Sequence, residues 1–129
     1  MRNGRQWLVV GAVVVVAGIA WILGQGAFSD GGHPDPDHLP KVALSALPVQ
    51  ARETVSRIDA GGPFPYERDG IVFENYEGLL PSEASGYYHE YTVPTPGASD
   101  RGARRIITGS DGELYWTGDH YRSFERITR

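Results

Sequence analysis

Glu90, then Arg101, Arg104 and Arg105, then His120 place a carboxylate, a guanidinium cluster and an imidazole within about 30 residues of one another. Acid–base cleavage of a phosphodiester needs these parts. A base takes a proton from an attacking hydroxyl, an acid gives one to the departing alkoxide, and fixed positive charge holds the crowded phosphoryl group between them. That chemistry requires no metal and no cofactor, and none is expected. Each residue also has an ordinary reading. A glutamate on a strand is commonly only a surface charge. Arginines at a sheet edge discourage aggregation as readily as they fork a phosphate. A lone histidine in a turn such as Gly118-Asp119-His120-Tyr121 is often uninvolved. Phe73, Tyr87, Tyr88, Tyr91 and Tyr121 suit base stacking, and they suit cross-strand packing as well.

The elements that would position these groups follow from periodicity. Leu47, Ala51, Val55 and Ile58 recur at spacings of four, four and three, which is one face of a helix over residues 49–58. Pro48 suits its first turn, and Gly61-Gly62-Pro63 stops it. Short strand-like runs come next, at residues 70–73, 87–93, 104–108, 113–116 and 123–127, separated by turn signals such as Ser110-Asp111-Gly112. Alternation puts Tyr88, Glu90 and Thr92 on one face of their strand, with His89, Tyr91 and Val93 on the other. Arg105 and Ile107 likewise share a side opposite Arg104 and Ile106. One helix followed by several antiparallel strands is an α+β layout, with the helix packed on one face of the sheet.

Residues 7–23 form an apolar run of 17 residues preceded by Arg2 and Arg5. That length falls between a signal-peptide core and the roughly 20 residues of a full span. Gly24-Gln25-Gly26 offers a weak cleavage site, so residues 1–28 read as a signal peptide or a transmembrane anchor, with the positive flank inside and the rest exported. Residues 29–40 are rich in Gly, Pro and Asp and read as a flexible linker, in which His33 and His38 are solvated rather than metal-bound. The exported part has no cysteine and must hold itself together by its core. All 16 acidic residues but only 10 of the 12 basic ones follow Phe28, giving about −6. Such acidity excludes a general electrostatic coat for nucleic acid, so any RNA contact must be local, at the arginines.

From Val42 onward the chain resembles the small secreted guanyl-specific ribonucleases of the barnase-like microbial superfamily. The resemblance runs through residues 44–48, through Gly62-Pro63-Phe64-Pro65-Tyr66 and Asp69-Gly70-Ile71-Val72-Phe73, and through residues 86–93, 101–109 and 117–121. It implies a ribonuclease domain over residues 41–129. That domain would cleave single-stranded RNA after guanosine through a 2′,3′-cyclic phosphate, then hydrolyse this to a 3′-phosphate. By position in the motifs, Glu90 would be the base, His120 the acid, Arg101 and Arg105 the phosphate holders, and Tyr121 a further hydroxyl on the phosphate. Glu77 would accept the guanine N1 and N2 donors. Asn75 and neighbouring amides, with Glu74 and Tyr76 beside them, would address O6 and shape the pocket, and Phe73 would support the base.

The resemblance also carries expectations about partners and place: single-stranded RNA as substrate, a barstar-like inhibitor protein, a monomer, and an extracellular enzyme held at the membrane if the N-terminal segment is retained. Three departures stand out. Glu74 adds a negative charge beside Glu77 where the family often has Gln or Ser. The disulfide that the resemblance implies between the domain start and its C-terminal end is impossible here, because Ala43 and residues 126–129 supply no cysteine, a loss of roughly 2–5 kcal/mol. The relatives are also released, whereas a retained N-terminal segment would tether this chain. The alternative from another class is a membrane-tethered module of the same fold that binds guanine nucleotides or RNA without turnover. A toxin delivered to competitors would share the chemistry.

Overall fold

The computed structural model describes residues 35–129, so the apolar run at 7–23 and its cleavage or anchoring lie outside the described residues, as does His33. The elements in chain order are strand β1 (Lys41–Ala43), helix α1 (Val49–Ala60), and strands β2 (Ile71–Phe73), β3 (Tyr88–Thr92), β4 (Arg105–Gly109), β5 (Leu114–Thr117) and β6 (Glu125–Thr128). The α+β expectation holds.

Helix α1 starts after Pro48, whose extended backbone cannot continue a helix backwards. It ends at Gly61, which takes a left-handed φ of 82° that a side chain would resist. The amides of Gly61 and Gly62 donate back to the carbonyls of Ile58 and Arg57, at 3.1 and 2.9 Å, closing the last turn. Ala51 and Val55 are buried as the periodicity predicts, and Leu47 and Ile58 join them in the core. Thr54 is buried as well, because its hydroxyl donates to the Gln50 carbonyl at 3.0 Å and needs no water.

The strands form one sheet in the order β1-β6-β5-β4-β3-β2. All neighbours are antiparallel except β1 and β6, which run parallel with Ala43 opposite Thr128. Strand β1 and its parallel pairing differ from the sequence-based expectation, which held antiparallel strands only and none before the helix. A three-residue strand beside Pro40 carries too little alternation to register, and its partner lies more than 80 positions further on.

Helix α1 covers one face, and its Ala51 and Val55, with Leu47 just before it, pack against Val93, Ile106, Leu114 and Ile127. The other face carries Tyr88, Ile107, Tyr115, Phe124, Leu80 and Leu39. Ile106 and Ile107 thus serve different cores, as alternation along β4 requires. The sheet is buried on both sides, and Glu90, on the face away from the helix, is only 8% exposed. The ordinary reading of Glu90 as a solvated surface charge is therefore wrong.

Asp35 to Pro40 correct the linker boundary. Asp35 caps a single 3₁₀ turn, Pro36–His38, and its carboxylate also binds His38 Nδ1 at 2.7 Å. Leu39 is buried in the second core, and the Pro40 carbonyl accepts from the Arg126 amide at 2.7 Å. Composition alone cannot show that one leucine among prolines and aspartates has a core to enter. At the opposite end, Arg129 makes a two-pronged ion pair with Asp59 of α1, at 2.8 and 3.1 Å, fastening the C-terminus to the helix.

Candidate active site

Register brings the reacting groups together. Glu90 pairs across with Ile107 and Thr92 with Arg105, so Glu90 and Arg105 sit diagonally on the same sheet face. Arg105 is fully buried, an expensive place for a charge unless its donors are met. Two of its three nitrogens find partners: one terminal nitrogen donates to the carbonyls of Gly102 and Arg104 at 2.9 and 2.8 Å, and Nε donates to the Tyr121 hydroxyl at 3.1 Å. Tyr121 in turn donates a short hydrogen bond to Glu90 Oε1. Arg105 Nε itself stands 3.9 Å from that oxygen. Only Oε1 of Glu90 is engaged among these contacts, which leaves Oε2 to accept a proton.

Burial, and then the hydrogen bond and charge of Glu90, push the Tyr121 hydroxyl up to about 12, while Arg105 pulls the other way. The phenol is therefore a neutral donor across the working range. Its ring stacks on Phe73 with centroids 5.3 Å apart, and Phe73 meets Phe124 edge-on. Phe73 so supports the wall of the cleft through Tyr121. Arg101 lines the cleft, with one nitrogen donating to the Thr92 hydroxyl at 2.8 Å.

His120 is held by its backbone. The segment after β5 carries two successive left-handed residues, His120 (φ 61°) and Tyr121 (φ 71°), a strained arrangement for side chains of this size. Asp119 maintains it. Its Oδ1 accepts from the Thr117 hydroxyl and from the amides of Arg122 and Ser123, its Oδ2 accepts from the Ser123 hydroxyl at 2.6 Å, and the His120 amide donates to the Ala103 carbonyl. Burial alone would raise the Asp119 carboxyl. The hydrogen bonds from Ser123, Thr117 and Arg122 outweigh it and hold the group below the usual 3.8. The imidazole is exposed and lines the same cleft as Glu90.

That cleft has a volume of about 650 Å³. Its far wall is the segment after β2, with Glu74, Asn75, Tyr76 and Glu77 all lining it. Asn75 takes a left-handed φ of 56° and spends its amide within the loop. Its nitrogen donates to the Leu80 carbonyl at 3.0 Å and its oxygen accepts from the Leu80 amide at 3.1 Å. It shapes the pocket, and its side chain has little left for a base. Glu74 accepts from the Ser85 hydroxyl at 3.3 Å, whereas Glu77 is exposed at the cleft without such a tie. Tyr76 is 91% exposed at the rim.

The ten residues given catalytic or binding roles thus line the cleft or, for Arg105, touch a residue that does, whereas Arg104, Tyr87, Tyr88 and Tyr91, also singled out in the sequence, do not line it. Tyr87 is tied to Glu113, Tyr88 to the Pro81 carbonyl, and Tyr91 packs on Phe64. Arg68 and Arg122, which the sequence analysis does not single out, line the cleft too. Each stands immediately beside a motif residue, Arg68 before Asp69 and Arg122 after Tyr121, and adjacency to a motif is the only signal that points to them.

A buried carboxylate linked through a phenol to a buried guanidinium thus shares one cleft with an imidazole and with the carboxylates of the segment after β2, groups able to move protons and hold an anion. The chain belongs to the ribonuclease family, whose model matches residues 33–128. It is 62% identical over 88 residues to guanyl-specific ribonuclease Sa3 of Kitasatospora aureofaciens, covering 67% of this chain and 62% of that relative. It is 54% identical over 94 residues to guanyl-specific ribonuclease St of Saccharopolyspora erythraea, covering 73% and 92%. Among solved structures, ribonuclease Sa2 in complexes with mononucleotides superposes with a TM-score of 0.71 at 53% identity, over 74% of this chain and 98% of that one.

Proposed function

We propose that this protein is a guanyl-preferring endoribonuclease that cuts single-stranded RNA in two steps without a metal. The observation that carries this reading is the chain of hydrogen bonds from Arg105 through Tyr121 to Glu90 in a cleft that His120 shares. In the first step the free oxygen of Glu90 takes the proton of the ribose 2′-hydroxyl, whose oxygen attacks the adjacent phosphorus. The bond to the 5′-oxygen breaks, His120 protonates that oxygen, and a 2′,3′-cyclic phosphate remains. In the second step His120 takes a proton from water, the water oxygen attacks phosphorus, and Glu90 returns its proton to the departing 2′-oxygen, leaving a 3′-phosphate. Arg101 and Arg105 hold the phosphate and its growing charge, with Tyr121 adding a neutral donor. Because the nucleophile belongs to the substrate, positioning and proton transfer suffice. DNA lacks the 2′-hydroxyl and is bound without being cut.

Guanine selectivity rests on Glu77, whose carboxylate accepts two donors that adenine does not offer in the same place. Asn75 acts on the loop rather than on the base. The 54–62% identity to guanyl-specific enzymes supports the same preference here. The wider reading is an exported monomer, held at the outer face of the membrane if residues 1–28 are retained, and a target for a barstar-like inhibitor.

The test is digestion of a defined single-stranded RNA by the full chain in EDTA, with product ends mapped at nucleotide resolution. Cuts after guanosine with cyclic or 3′-phosphate ends are expected. Glu90→Gln should lower kcat/KM by about 10²- to 10⁴-fold and remove the acidic limb of the pH–rate curve. Tight guanine binding with no cleavage by a folded chain would favour the non-catalytic module.

A further inference from the structure

The charge inside the cleft does not favour a polyanion until Arg68 and Arg122 are counted. Glu74, Glu77 and Glu90 bring three carboxylates to it, and Arg101 with the adjoining Arg105 brings two guanidiniums, a balance of −1. Residues 35–129 together carry 10 basic and 15 acidic side chains, so the surroundings repel RNA as well. Arg68 and Arg122 turn the cleft to +1. Both are exposed, and neither has a carboxylate within ion-pair distance among the described residues, in contrast to Arg105 and Arg129.

Their places differ. Arg68 lies three residues before Ile71, at the end of β2 away from the base loop, and its carbonyl accepts from the Ile71 amide. Arg122 follows Tyr121, whose ring stacks on Phe73 at the other end of β2, where the base loop begins. The two cations therefore stand toward opposite ends of a three-residue strand, on the order of 10 Å long, with Glu90 paired to that strand between them.

We propose that Arg68 and Arg122 bind the RNA phosphates that flank the scissile one, making the cleft a site for a polynucleotide rather than for a dinucleotide. The inference rests on the ribonuclease reading of the same site. It also explains how an acidic domain gathers an acidic polymer: two arginines at the rim act through charge on phosphates that no catalytic group touches.

The experiment compares the full chain with its Arg68→Ala/Arg122→Ala variant on two substrates, guanylyl-3′,5′-uridine and a single-stranded oligouridylate holding one internal guanosine. Binding of the same oligomer with 2′-deoxyguanosine, which cannot be cut, is measured alongside. The variant should lose about tenfold in kcat/KM on the oligomer at low salt. The slope of log K against log salt for the uncuttable oligomer should flatten by about 1.4, two phosphates at about 0.7 each. On the dinucleotide, which has only the scissile phosphate, kcat/KM should stay within about twofold of the parent. Arg68→Lys/Arg122→Lys should restore the slope, since charge alone is asked of these positions. Equal loss on both substrates would overturn the proposal, as would an unchanged salt slope. If the uncuttable oligomer binds with the arginine-dependent slope while neither substrate is cut, the flanking-phosphate inference stands and the ribonuclease reading falls.

Discussion

Tyr121 shows how one side chain can serve two buried charges. Its oxygen accepts from Arg105 and its proton goes to Glu90, so the phenol joins a guanidinium and a carboxylate that stand 3.9 Å apart at their nearest atoms. Tyr121→Phe removes that link and leaves a buried charged donor without its partner, which should cost roughly ten- to hundredfold in kcat/KM. Because the hydroxyl is pushed up to about 12, it adds no titrating group in the working range, and the variant's pH–rate curve should be lower but keep both limbs. A variant that loses one limb altogether would show that Tyr121 takes part in proton transfer. The residue types of this network were legible in the sequence, since Glu, Arg, His and Tyr are the types that acid–base work on a phosphodiester would use. Their wiring was not. Alternation put Glu90 on a face without saying that the face was buried, and nothing in Asn75 announced that its amide would be consumed by Leu80.

At the scale of the element, the segment after β5 is organised by a single carboxylate. Asp119 accepts from two hydroxyls and two amides, and this fixes the left-handed turn that carries His120 and Tyr121. Asp119→Asn should weaken those bonds and lower kcat more than it raises KM, because the acid is displaced while the base loop is untouched. Its pH signature follows from the lowered folded-state value. The unfolded chain takes up a proton more readily than the folded one, so the ionised group stabilises the fold above the ordinary carboxylate range. That contribution fades as pH falls through the folded-state value. The stability gap between parent and variant should therefore be constant at neutral pH and close below about pH 4. A gap that persists at pH 2 in urea titrations would deny the carboxylate this role. The helix was legible because its period is 3.6 and its stops are glycines. β1 was not legible, because three residues hold too little pattern and a parallel partner at the far end of the chain leaves no local trace.

For the whole molecule, the domain begins earlier than composition suggests. A chain starting at residue 41 loses buried Leu39 and the bond from the Arg126 amide to Pro40, and should be about 2 kcal/mol less stable than one starting at residue 35. Equal urea midpoints for the two would show that the segment merely rests on the sheet. The missing disulfide makes this margin matter, and the Arg129–Asp59 pair with the β1–β6 ladder supplies the fastening that the sequence shows no cysteine to provide. That ladder also joins the two ends of the described chain. Among the described strands β1 pairs only with β6, and the imidazole and phenol of the cleft lie in the loop that leads into β6. A chain cut short before β6 therefore leaves β1 without a partner, and leaves the loop of His120 and Tyr121 without the strand that holds its far side.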